Sequence, residues 1–186
     1  MKKILLVSAF FLSSCISYDQ EFLNLNLSAT EKYSDFGRNK VIDLEVLDKR
    51  VEEDYLGNKN FGQKMVDIKS DRNLADVIFK KVEEDLELNQ YLVVNSEFDL
   101  ADQTLRIEII DFAYQSNRKF FIGNSNLNIL FKVTLTDEIS HSSHSVMKGL
   151  DIKKNHFISP KIVTDEIIIT DALQVLLGEV MELVVN

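Results

Sequence analysis

The chain has 186 residues, 45% hydrophobic and 27% charged, with a formal net charge of −9 and a pI near 4.9. That length favours one domain able to bury about two-thirds of its unfolded surface, and the globular-average composition excludes wholesale disorder, collagen-like repeats and low-complexity structure. A single cysteine excludes an internal disulfide or a cysteine-rich zinc cluster, and the acidic balance excludes a general nucleic-acid binder, which needs an excess of Lys and Arg to neutralise phosphates.

The N-terminus reads as an address. Lys2 and Lys3 form a basic start, residues 4–12 an apolar run, and Ser13 and Ser14 a small-residue approach to Cys15. This is the layout of an export signal, and its apolar run is far short of the ~20 residues that span a bilayer as a helix. Leu12-Ser13-Ser14-Cys15 resembles the bacterial lipobox, in which the cysteine thiol takes a diacylglyceryl group and cleavage makes it the first mature residue. The expected organisation is a lipoprotein signal peptide over 1–14, a lipidated N-terminus and short tether over 15–21, and a single domain over 22–186. Two or three acyl chains on Cys15 then anchor the protein to a membrane without spanning it, since one chain alone holds only marginally. With Lys2 and Lys3 removed, the 21 basic residues fall to 19 against 30 acidic, and the charge moves from −9 to −11. In many Gram-negative bacteria an Asp after the lipidated cysteine marks inner-membrane retention. Ile16 therefore directs the expectation to the outer membrane.

Beyond the tether, Leu23, Leu25 and Leu27 alternate with Asn24 and Asn26, the period of a half-buried strand. Turn chemistry surrounds Gly37, and Ile42, Leu44 and Val46 mark a second strand. Residues 48–63, charged and holding Gly57 and Gly62, read as a long loop. Met65, Val66 and Ile68 suggest a brief third strand. Ser70 or Asp71 is placed to cap a helix whose apolar positions Leu74, Ile78, Val82 and Leu86 recur every four residues and which ends near Asn89. Residues 91–94 suit a short strand.

Leu105, Ile107 and Ile109 open a strand that continues to Tyr114; residues 115–126 read as a polar turn region. Leu127, Ile129, Phe131, Val133 and Leu135 give the clearest alternation of the chain. After a turn at 140–145, residues 146–152 make another strand, and loop-like connections join these three as an antiparallel meander. Thr164, Asp165 and Glu166 begin a final helix over 165–184, with apolar residues at Ile168, Ala172, Val175, Leu176, Val180 and Leu183 and a weak point at Gly178. The predicted order β-β-(β)-α-β-β-β-α is that of an α+β domain: an antiparallel sheet of about five strands with two helices packed on one face.

Several stretches together resemble the YajG family of bacterial lipoproteins. They are the lipobox, the run from Ile42 to Arg50, the helix start Ser70-Asp71-Arg72-Asn73-Leu74, the strand Gln103-Thr104-Leu105-Arg106-Ile107-Glu108-Ile109-Ile110 and the late Ile169-Thr170-Asp171-Ala172-Leu173. The resemblance implies an envelope lipoprotein with a compact α+β domain, and it carries over no catalytic residues.

No pattern of enzyme chemistry stands out. His141 and His144, with His156 as a third imidazole, are the best metal-like group, but their Ser-rich setting reads as an exposed turn, and zinc normally takes three or four fixed ligands. The acidic runs Glu52-Glu53-Asp54 and Glu83-Glu84-Asp85 read as solvated faces. Nucleophile-elbow, zincin, Walker and dinucleotide-binding patterns are all missing from the sequence. The expectation is a protein that is not an enzyme, with no catalytic residues, no metal and no cofactor. It is a membrane-anchored binding or assembly module contacting an envelope protein. The alternatives are an envelope hydrolase or metal-dependent enzyme built from scattered residues, and a lipid carrier with an apolar groove.

One loop offers a contact surface. Asn117-Arg118-Lys119-Phe120-Phe121-Ile122-Gly123 joins two cations to three large apolar residues in an acidic protein. On one reading Phe120 or Ile122 begins the next strand and packs under it, with Phe121 on the opposite face. Arg118, Lys119 and Phe121 remain the candidate contact to a partner protein or to lipid headgroups.

Overall fold

The computed structural model of the chain describes residues 19–29, 34–62, 64–94, 101–119, 122–156 and 162–185. Their elements are β1 (Asp19–Leu23), β2 (Val41–Asp48), β3 (Tyr55–Phe61), β4 (Lys64–Ser70), α1 (Leu74–Leu88), β5 (Leu92–Val94), β6 (Gln103–Lys119), β7 (Ile122–Asp137), β8 (Ser142–His156) and α2 (Ile162–Val185). The eight strands form one mixed sheet, and its spine is β6.

On one edge β6 pairs antiparallel with β7, and β7 with β8, giving the expected meander. On the other edge β6 is shared. Its first half pairs with β2 from Gln103 to Ile109, its second half with β3 from Tyr114 to Arg118, both in parallel. Behind β2 lies β5; behind β3 lie β4 and then β1. The sheet therefore forks. It is larger than the expected five strands, and mixed instead of antiparallel, because the long passage from β4 through α1 and β5 to β6 is the helical crossover that parallel pairing requires.

The fork is closed by Arg50. Between the branches β6 bulges at Ile109/Asp111, and the chain turns from β2 into β3 beside it. The guanidinium grips Asp48 with Nε 2.9 Å from Oδ1 and Nη2 2.6 Å from Oδ2, and Nη1 donates to the Tyr55 carbonyl at 2.7 Å. It also lies 5.6 Å over the Phe112 ring.

One face of the sheet is buried. Leu105, Ile107, Ile109, Phe112 and Tyr114 of β6 share it with Leu127, Ile129, Phe131 and Val133 of β7, and both helices join the same cluster. α1 buries Leu74, Val77, Ile78, Val82 and Leu86; its cap is Asn73, whose Oδ1 accepts from the Ala75 amide at 2.8 Å, in place of Ser70 or Asp71. Lys81 and Asp85, both buried, pair one turn apart on that helix. α2 buries Ile168, Ile169, Ala172, Leu173, Leu176, Leu177 and Val180, a stripe wide enough for a helix packed against both the sheet and α1, and Val175 is on its exposed side.

Several boundaries differ from expectation, among them α2, which starts at Ile162, and β8, which starts at Ser142 inside the expected turn. β1 begins at Asp19, inside the segment expected to be tether; Leu25 is buried after it without being in a strand. The expected long loop contains β3. The expected turn region 115–126 is the continuation of β6 and the start of β7. Among the described residues no helix is long and apolar enough to cross a membrane.

Candidate functional site

A single row of residues crosses the sheet at the end where β1 starts. Asp19 is level with Val66, Val66 with Lys59, Lys59 with Ser116, Ser116 with Ser125, and Ser125 with Lys154. Here the inward positions are polar. Ser116 continues the inward parity of Tyr114, and Ser125 that of Leu127, so serines stand where the rest of the face carries Leu, Ile and Phe.

The space they leave is filled by an ion pair. Lys59 and Asp165, both 0% exposed, meet between β3 and the first turn of α2. The Lys59 ammonium also lies 3.1 Å from Glu21 Oε2 on β1 and 5.6 Å from the centre of the Phe61 ring. On the other side Asp165 Oδ1 accepts the Tyr114 hydroxyl at 2.5 Å, and that hydroxyl is 3.1 Å from Ser125 Oγ, itself 3.3 Å from Ser116 Oγ. Burial, reinforced by the Asp165 bond, pushes the Tyr114 pKa well above the ordinary tyrosine value. A buried ammonium needs such neighbours, because desolvating an unpaired charge costs several kcal/mol. The cluster ties β1, β3, β6, β7 and α2 together and keeps Tyr114 a hydrogen-bond donor.

The sequence-predicted residues divide between the two ends of the sheet and positions outside the described residues. Arg118 and Lys119 are the last residues of β6, paired with Gly123 and Ile122 of β7, so the expected loop is mostly strand. Phe121 and Cys15 lie outside the described residues. His141 is in the β7–β8 turn and His144 is exposed at the start of β8, while His156 ends that strand, roughly 40 Å farther along at ~3.4 Å per residue. The three are not brought together, and no metal-holding group occurs among the described residues. The buried cluster was missed because its members are distant in the chain. Its one local signal is a Lys and two Ser at inward parity.

Grooves flank the sheet without converging chemistry. One of about 580 Å³ follows the fork beside Arg50, Tyr55, Asn58 and Ile110. Another of about 540 Å³ runs between residues 25–29 and α1, past Arg72, Asp76 and Lys80.

Residues 28–182 match a family described as uncharacterized lipoprotein, Lipoprotein_16. The chain belongs to this family, the YajG family. Membership makes the YajG-family chain a lipoprotein of the cell envelope, as the resemblance implied. No curated protein matches it. Among solved structures it is similar to a Xanthomonas campestris protein of family DUF330, at 10% identity and a TM-score of 0.64, covering 89% of this chain and 94% of that one. It is also similar to an uncharacterized protein at 8% identity and a TM-score of 0.57, covering 90% and 99%. At such identities the likeness concerns the fold alone.

Proposed function

We propose that the protein is an outer-membrane lipoprotein, acylated at Cys15, whose domain is a non-catalytic module that binds or helps assemble an envelope protein. The observation that carries this reading is the attachment of β1. Asp19 is four residues after Cys15, and β1 is strapped into the sheet by its pairing with β4 and by Glu21 on Lys59. A tether of four residues spans at most ~14 Å, so the domain is held close to the bilayer and works on what it meets there. The absence of an enzyme motif from the sequence, and the sealing of the buried cluster, support binding over catalysis. Ile16 supports the outer membrane.

Cys15→Ala tests the anchor: the variant loses radiolabelled acyl chains and leaves the membrane fraction. Membrane fractionation of the variant like that of the wild type, with no label on either, defeats it. Photo-crosslinkers at the exposed Met147 and Ile110 test the binding role. One discrete envelope protein captured from both positions is the expected result. Turnover of a test substrate by the purified, adduct-free protein is the contrary one.

A further inference from the structure

The end of the sheet at which β1 begins differs in charge from the rest of the chain. Segments 19–20, 58–67, 115–119, 122–126 and 153–156, which share the levels of that end, carry five basic residues besides the buried Lys59 and two acidic residues, Asp19 and Asp67, in a protein with 30 acidic residues. Lys153 and Lys154 are exposed on β8, Lys153 at 3.5 Å from Asp151 Oδ2, Lys64 pairs with Asp19 at the rim, and positions 118 and 119 end β6. Ile122, at the start of β7, is 63% exposed. At the other end of the same strands the polarity reverses: exposed Ile139 lies among Asp102, Asp137 and Glu138.

Geometry places the basic end against the membrane. The Lys119–Ile122 pair is three residues beyond the row that holds Asp19, roughly 10 Å along the strands. The chain from Asp19 back to Cys15 reaches at most ~14 Å. With Cys15 at the bilayer surface and the strands along its normal, the Lys119–Ile122 pair then stands no more than about 4 Å above that surface. A cationic rim beside the exposed Ile122 suits anionic headgroups with a side chain at the acyl boundary.

We propose that this end is a bilayer-apposed surface that takes anionic phospholipid headgroups through Lys64, Lys153, Lys154 and basic positions 118 and 119, with Ile122 entering the headgroup layer. Its orientation rests on the anchored-lipoprotein reading. It leaves the acidic end of the domain, around Ile139, facing away from the bilayer.

The test has two arms. In the first, mature protein whose Cys15 acylation is verified by mass spectrometry is reconstituted in vesicles of phosphatidylglycerol and phosphatidylethanolamine, with a nitroxide on Ile122→Cys or Ile139→Cys. The label at 122 is expected at headgroup depth and the label at 139 in water. Equal water exposure at both overturns the proposal, as does immobilisation at 122 that requires an added envelope protein instead of lipid. In the second arm the mature chain with Cys15→Ser, made without acylation, is sedimented with vesicles. It is expected to bind phosphatidylglycerol over phosphatidylcholine, to lose about tenfold in affinity as salt screens the contact, and to lose as much on Lys153→Glu with Lys154→Glu at unchanged thermal stability. Binding that is absent, or indifferent to lipid charge, overturns the proposal. Should Cys15 prove unacylated, the anchor reading fails by itself and the second arm still decides the surface.

Discussion

Lys59 of β3 and Asp165 of α2 form an ion pair at a point where neither side chain reaches solvent. Lys59→Met leaves Asp165 and Glu21 without their shared cation. Breaking a buried pair from one side costs about 3–5 kcal/mol, and replacing both members with apolar residues recovers most of it. Urea denaturation of the unacylated mature chain should therefore show a large loss for Lys59→Met and a smaller one for Lys59→Met with Asp165→Leu. A single-variant loss below about 1 kcal/mol would remove the pair from the fold's essential contacts.

Two glycines predict opposite signs. Gly57 has φ +150°, and a Cβ there would be 1.8 Å from the Tyr114 carbonyl oxygen across the β3–β6 pairing. Gly57→Ala should destabilise by well over the ~1 kcal/mol reached by ordinary backbone substitutions. Gly178 sits in α2 with nothing within 4 Å of an added Cβ. Gly178→Ala should stabilise by about 1 kcal/mol. Paired melting curves check both.

Tyr114 predicts alkaline sensitivity. In the unfolded chain a tyrosine loses its proton near 10.0, whereas burial and Asp165 hold that proton on folded Tyr114 well beyond this. Above pH ~10 the native state thus binds more protons than the unfolded one. Stability is full below that pH and falls as pH rises, by up to about 1.4 kcal/mol per unit for one group. Tyr91, raised by burial, adds the same sign. Urea midpoints measured from neutral to alkaline pH should fall more gently in Tyr114→Phe than in the wild type. Equal slopes would show that the hydroxyl titrates normally.

Arg50 predicts a failed conservative exchange. Its planar group serves Asp48 in two bonds, the Tyr55 carbonyl and the Phe112 ring at once. A lysine offers a point charge without that fork. Arg50→Lys and Arg50→Met should lose similar stability, about 2 kcal/mol or more, with amide exchange quickening first at residues 49–55. Full rescue by lysine would mean that charge alone closes the fork.

What was legible in the sequence follows from where the core is apolar. Leu74, Ile78, Val82 and Leu86 announce α1, and the alternation from Leu127 to Leu135 announces β7, because these faces press on other hydrocarbon. β3 was hidden because its inward Lys59 and its glycine break every apolar pattern. The ends of β6 and β7 were hidden because Ser116 and Ser125 occupy inward positions there. Both failures have one cause, a polar pocket of core whose partners lie far apart in the chain. The parallel pairings of β6 were illegible for a different reason: a strand's own residues do not say which neighbour shares its edge. Within the candidate surface, Arg118 and Lys119 were visible as an oddity of composition, but Lys64, Lys153 and Lys154 join them only through the register of the folded sheet.

The direction of β1 also decides how the protein bears load. With the anchor proposed at Cys15, the strand runs from the lipid-proximal side into the domain, parallel to β4. A pull between bilayer and domain therefore acts along the strand axis and strains its five residues' hydrogen bonds and the Glu21–Lys59 contact together, in shear, where a strand entering from its far end would peel away bond by bond. Under that anchor the short edge strand becomes a mechanical coupling, resistant to drag on the envelope for as long as β4 and Lys59 hold their places.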